Sequence, residues 1–313
     1  MDIVNILHIC QQFCSLDIQT LTINFKIFTM RKLQFGLLGC LSLSLFLVSC
    51  SQDSEISETT EINLTKEVPQ KVIDAAVALE LNTDFIKYGQ FYFPDGSSEE
   101  RLFFEEDIVM SEDQLFAMAE AAKEGLDSRQ YRTFNLVSQG RNISIIGYTG
   151  GGFALSNKER TALQWAVNNY NRLSGVSISF TLTFGTNFQS KDMVVYNNTA
   201  NNPGGAGGSA GFPSGGLPYK FVQIYGLSGY STNVNEHVLT HEIGHSVGFR
   251  HTDWFSRQSC GQNVNEGSGG VGAVHISGTP TGFDSTSVML ACFSSSEDGE
   301  FNGNDITALR VMY

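Results

Sequence analysis

Residues 241–251 read HEIGHSVGFRH, and they leave the backbone little choice. Four of the six histidines in the chain lie between positions 237 and 251. On an α-helix, residues four apart share a face, so His241 and His245 can present two imidazoles to one ion. Glu242 then stands beside the ion without being needed as a ligand. Zinc takes four tetrahedral ligands, and a catalytic site keeps one of them for water, so a third protein ligand is required. His251 offers it, but a straight helix would carry that side chain away along its axis. Gly248 lets the chain leave the helix with positive φ and double back. The spacing therefore dictates a helix through His245, a stop at Gly248 and an immediate return. A bare HExxH is as readily the polar face of an ordinary helix, whereas the longer pattern fixes five positions in eleven. His237, one turn before His241, reads as a surface or supporting residue, because a fourth protein ligand would close the site to water.

The chain has 313 residues and a formal net charge of −13. Met30, Arg31 and Lys32 precede an apolar run over 33–48, a charged start followed by a hydrophobic segment as in secretory signals. The run ends Leu47, Val48, Ser49, Cys50, which looks like a bacterial lipobox with Cys50 as the lipidated residue. The alternatives are a transmembrane anchor and an ordinary signal peptide; the run is short for a span needing about 20 residues and lacks positive charge after it. Residues 1–29 are then an apolar stretch ahead of the signal, so translation is expected to begin at Met30. The expected divisions are a mis-assigned start (1–29), a lipoprotein signal (30–49), an acidic tether (50–66), an acidic N-terminal region (67–135) and a main domain (140–313). The product would be an exported lipoprotein, held at the outer membrane or cell surface by lipid on Cys50, or released outside the cell. Of six cysteines, four lie in the leader or at its end, leaving Cys260 and Cys292. An even pair in an exported chain reads as a disulfide; two buried free thiols are the alternative.

Charge divides the chain beyond Cys50. Residues 51–130 carry 19 acidic and 6 basic side chains, whereas 131–313 carry 11 and 10. The acidic part contains an expected helix at 68–81, a hairpin over 85–104 turning at Pro94, Asp95 and Gly96, and a helix at 111–124 with Glu112 and Asp113 in its first turn. Such a segment ahead of a catalytic domain is a candidate inhibitory prodomain, and equally a spacer or a binding module. It holds no cysteine to cap a metal, so only a carboxylate such as Asp107 has a donor for that part.

The second part should open with a strand at 142–148, then a helix from a capping box of Ser156 and Glu159 to about Leu173. Strands come next at 176–184, 193–196 and 219–225, separated by the glycine-rich loop 201–216. That loop lacks the lysine and following helix of a phosphate cradle. Within it, 208–213 is a candidate edge strand able to receive an extended peptide. The metal-binding helix should start near Asn233, with Glu236 as its capping partner. The order gives an α+β fold: a mixed twisted sheet, the helix bearing the histidines and a C-terminal helix, preceded by the small acidic region.

HExxHxxGxxH, realised as His241, Glu242, His245, Gly248 and His251, resembles the metzincin clan of zinc metalloproteases. Such enzymes have a methionine turn beneath the zinc, and Ser287, Val288 and Met289 fit it. The HEIGH spelling, Thr252 with Asp253, and the ending from Asn304 are similar to the bacterial HEIGH metallopeptidase family (M57-like), over about residues 140–313. The resemblance implies a zinc endopeptidase acting on protein or peptide, with one catalytic zinc on the three histidines and Glu242 as general base. Ala291 stands where astacin-like relatives have a tyrosine ligand, so none is expected. Asp253 either orients a histidine or caps a turn. The other readings are a zinc-containing, non-peptidase adhesion lipoprotein, against which an intact Glu242 argues, and a hydrolase of another amide or ester. Glu297, Asp298, Glu300 and Asp305 offer oxygens for Ca2+, but solvated turns are the simpler account. A chain this acidic has no basic footprint for nucleic acid. Loop 267–283 and the stretch after Met289 would build the specificity pocket.

Overall fold

Strand-forming runs in the second part pair into one sheet that sets the frame for the histidine helix. In the computed structural model the described residues are 66–79, 81, 83, 86–104, 106–123, 132–266 and 275–313. The leader, Cys50, the acidic tether up to residue 65 and part of loop 267–283 lie outside them. The elements are α1 (Gln70–Ala78), β1 (Lys87–Tyr92), β2 (Ser98–Phe104), β3 (Ile108–Met110), α2 (Glu112–Lys123), β4 (Asn142–Tyr148), α3 (Asn157–Asn171), β5 (Ser179–Gly185), β6 (Met193–Asn197), β7 (Gly207–Ser209), β8 (Phe221–Tyr225), α4 (Thr232–Ser246) and α5 (Gly303–Met312). The larger sheet runs β5-β4-β6-β8-β7, parallel except for β7, which pairs antiparallel with β8. This is the mixed sheet with helices that the element order implies.

Sheet burial obeys the period-two rule. On β6, Met193 and Val195 point into the main core with α3 and α4, while Val194 and Tyr196 join a smaller cluster on the other face with Ile146, Tyr148 and Phe188. α3 is opened by the reciprocal capping box of Ser156 and Glu159 and lays Ala162, Leu163, Ala166, Val167 and Tyr170 into that core. α4 is buried from Val234 to Ser246, polar residues included. Its start differs from the expected one. The N-cap is Ser231, whose side chain accepts from the Val234 amide at 3.2 Å, and Glu236 is occupied by the Asn169 side-chain amide at 2.9 Å. Ser231 and Asn233 are both good caps, and the 3-10 turn at Leu227–Gly229 brings the chain in at Ser231.

The acidic region forms a three-stranded sheet, β1-β2-β3, all antiparallel. The hairpin turns where Pro94 to Gly96 place it, but β3 was not legible in the sequence. α1 and α2 pack on this sheet through Val72, Leu79, Leu102, Phe104, Ile108 and Leu115. Phe91 and Val109 face the main core instead, and Arg101 lies over the ring of Phe91 and bonds the Tyr219 hydroxyl. The region thus shares packing with the sheet that carries the site.

Candidate metal centre

α4 ends where the spacing requires. Gly248 has φ 109°, and a Cβ there would come within 2.8 Å of Leu136. The reversal also supplies an orienting group, since the Phe249 carbonyl lies 2.9 Å from His245 Nδ1. His241 Nδ1 lies 2.9 Å from the carbonyl of Val288. His251 Nδ1 lies 2.9 Å from both carboxylate oxygens of Glu266. Carbonyl and carboxylate oxygens only accept, so each Nδ1 carries the proton and each Nε2 presents a bare lone pair. Those three Nε2 atoms converge: His245 is 2.9 Å from His241 and 3.2 Å from His251. Three lone pairs aimed at one point in a buried site repel one another unless a cation lies between them, so the residues fit a metal ion. Burial, followed by the neighbouring histidines, holds His245 well below the usual imidazole range, keeping it neutral as a ligand must be.

A fourth donor completes the group. Asp107, in the turn between β2 and β3, places Oδ2 2.9 Å from His251 Nε2, 3.7 Å from His241 Nε2 and 4.0 Å from His245 Nε2. The four ligand atoms lie within 4.8 Å of one another. Burial opposes ionisation of Asp107, but His251 and His241 outweigh it and hold the carboxyl well below its ordinary range.

Glu242 is 2 % exposed and is not one of those four. Its carboxylate fills the space left by a missing side chain: a Cβ on Gly208 would sit 2.6 Å from Glu242 Oε1. That close approach explains one residue of the glycine-rich loop. Glu242 Oε2 has no hydrogen-bond partner among the described residues. Burial and then the charge on Asp107 push Glu242 well above the usual carboxylate range. Glu242, His241 and Asp107 line a cavity of about 500 Å3 with Gly205 to Gly208, Tyr225, Tyr230, His237 and Leu290 to Phe293.

Met289 is fully buried against α4, where a Cβ on Gly244 would lie 2.6 Å from its Sδ. The turn is held from below by α5. Asp305, which forms a capping box with Asn302, accepts from Ser287 Oγ at 2.6 Å and from the Val288 amide at 3.0 Å. Asp305 therefore belongs to this cap, and burial raises its pKa to about 6. Glu300 pairs with Arg172. Asp305 is thus engaged in the helix cap and Glu300 in an ion pair. Cys260 and Cys292 are bonded, with Cα atoms 5.2 Å apart.

Two residues left open by the sequence have definite surroundings. Asp253 caps a turn: its Oδ2 accepts from Ser259 N and Oγ at 2.9 and 2.6 Å, and its Oδ1 from the Ala291 amide at 3.0 Å. It orients no histidine; Glu266 does that, from a stretch without periodicity that sequence reasoning passed over. His237 is buried, its ring centroid 6.5 Å from that of His241, and burial and then His241 push its pKa down to about 3. It stays outside the ligand group.

A family model described as "Dual-action HEIGH metallo-peptidase" matches residues 102–313. Comparison with curated proteins returned no match. Among solved structures, a crystal structure of myroilysin aligns with TM-score 0.37 and 14% identity, covering 57% of this chain and 86% of that one. A second myroilysin structure aligns with TM-score 0.34 and 14% identity, covering 56% and 81%.

Proposed function

Because the chain belongs to the HEIGH metallopeptidase family, we infer that it is a zinc endopeptidase of the metzincin type, with His241, His245 and His251 holding the ion and Glu242 acting as general base. The observation that carries this reading is the convergence of three bare Nε2 atoms beside the buried carboxylate of Glu242, which stands outside the ligand group and whose Oε2 has no hydrogen-bond partner among the described residues. Zinc, when bound, supplies a Lewis acid that polarises a carbonyl and lowers the pKa of water to about 7. The protein moves the proton. Glu242 takes it from the attacking water as the C–O bond forms, and returns it to the amine as the peptide C–N bond breaks. Gly208, lacking a side chain, leaves the room that the carboxylate fills, while Val288, Phe249 and Glu266 fix the imidazoles. The strand end at Gly207–Ser209 beside the cavity suits an extended polypeptide.

Metal removal tests the reading. Activated protein should cleave an unstructured protein substrate, stop with a zinc chelator, and recover on added zinc. Cleavage that is indifferent to the chelator, or that is confined to esters, would overturn it. The same proposal places the enzyme on a membrane through lipid at Cys50. Cells fed a labelled fatty acid should label the wild-type chain and not Cys50→Ala; equal labelling would exclude that anchor.

A further inference from the structure

We propose that residues 106–109 are a built-in occupant of the cleft, keeping the site closed until they are displaced. The inference rests on the peptidase reading and adds its regulation. Three independent features carry it. First, Asp107 supplies a fourth protein donor to a histidine trio. Four protein ligands make the closed, structural type of zinc site, whereas a hydrolytic site keeps one position for water. Second, the backbone of the same segment takes the strand edge. The Ala210 amide donates to the Asp107 carbonyl at 2.9 Å, and the Val109 amide donates to the Ala210 carbonyl at 2.8 Å. Ile108 and Ala210 form a parallel bridge just past the end of β7. An extended polypeptide seeking those Ala210 groups finds them already used.

Third, the turn that aims Asp107 is held in a conformation side chains rarely adopt. Glu106 has φ 77°, in the left-handed region. Its carboxylate meets Arg257 Nη2 at 2.9 Å, and Arg257 reaches on to Glu266, the residue that orients His251. Behind the turn, Ile108, Val109 and Met110 are buried and β3 pairs with β2. The occupant is therefore anchored by packing as well as by its carboxylate, and it enters from the acidic region rather than from the catalytic part of the chain.

The test uses the full chain loaded with cobalt(II) or zinc, in wild-type, Asp107→Ala and Asp107→Asn forms; the asparagine variant keeps the side-chain shape should alanine upset the turn. Acetohydroxamate, a small metal chelate, probes the fourth position through the cobalt visible spectrum. Both variants should take up the probe at concentrations at least about tenfold lower than wild type, because the open fraction sets apparent affinity. Their rate on a short unstructured peptide should rise by a similar factor. A wild-type chain that binds the probe as readily as the variants and cleaves as fast, while still carrying residues 51–130, would overturn the proposal. Variants that gain probe binding but cleave no peptide would uphold the occupancy and discard the peptidase reading instead.

Discussion

Glu242→Gln, introduced together with Asp107→Ala so that latency does not mask the result, should lower kcat/KM on peptide by about 10³-fold and leave metal content unchanged. Positioned general bases contribute about 10²–10⁴-fold, and 10³ corresponds to about 4 kcal/mol at about 1.36 kcal/mol per tenfold. Metal content should hold because Glu242 is outside the four-residue ligand group. Glutamine preserves the shape that fills the space a side chain at position 208 would take. The loss should fall on kcat, since the carboxylate acts on the proton in transit rather than on substrate binding. Steady-state kinetics and atomic absorption on the same preparation decide it. Peptide hydrolysis within about tenfold of the parent would remove Glu242 from the role of base.

The residues that converge were largely legible because each rests on a local rule. His241 and His245 share a face by helical period, Gly248 is placed by the need to turn back, and Ser156 with Glu159 opens α3 by a reciprocal cap. Cys260 and Cys292 pair as the two cysteines left after the leader. What escaped depends on contacts between distant segments. Glu266 reaches His251 from an irregular loop, where no periodicity marks a side chain as inward. Asp107 is legible as a carboxylate able to cap a metal, and it does join the histidines, but what turns it toward them, the antiparallel pairing of β3 with β2, is not. The candidate edge strand at 208–213 is in fact ladder only at Gly207–Ser209, with Ala210 bonded by the incoming segment. Two rules of equal weight left Asp253 undecided, and its bonds to Ser259 and Ala291 settle it as a cap.

Glu266 is where the metal site and the occupant of the cleft meet, and its removal should weaken both. The carboxylate is fully buried; it faces His251 Nδ1 and pairs with Arg257 Nη1 at 2.8 Å, and the Glu266 amide is held by the Trp254 carbonyl at 2.7 Å. Glu266→Gln keeps the volume but loses the charge. With its amide oxygen in the place of Oε1 the glutamine still accepts from both Arg257 and His251, but its NH2 group then stands in the place of Oε2 and faces the His251 Nδ1–H, donor against donor. Arg257 keeps Glu106, whose side chain is 63 % exposed and so offers a screened partner. Loss of a carboxylate behind a ligating histidine typically costs about 10–100-fold in metal affinity. The expected result is a zinc Kd raised within that range, read by competition with a chromophoric chelator. Glu266→Ala should do more, leaving a buried guanidinium without its buried anion, at about 3–5 kcal/mol of folding stability in denaturant titration. A glutamine variant with the parental Kd would mean that the Glu266 contact does not hold His251 for the metal, and that the Phe249 and Val288 carbonyls suffice to set the site.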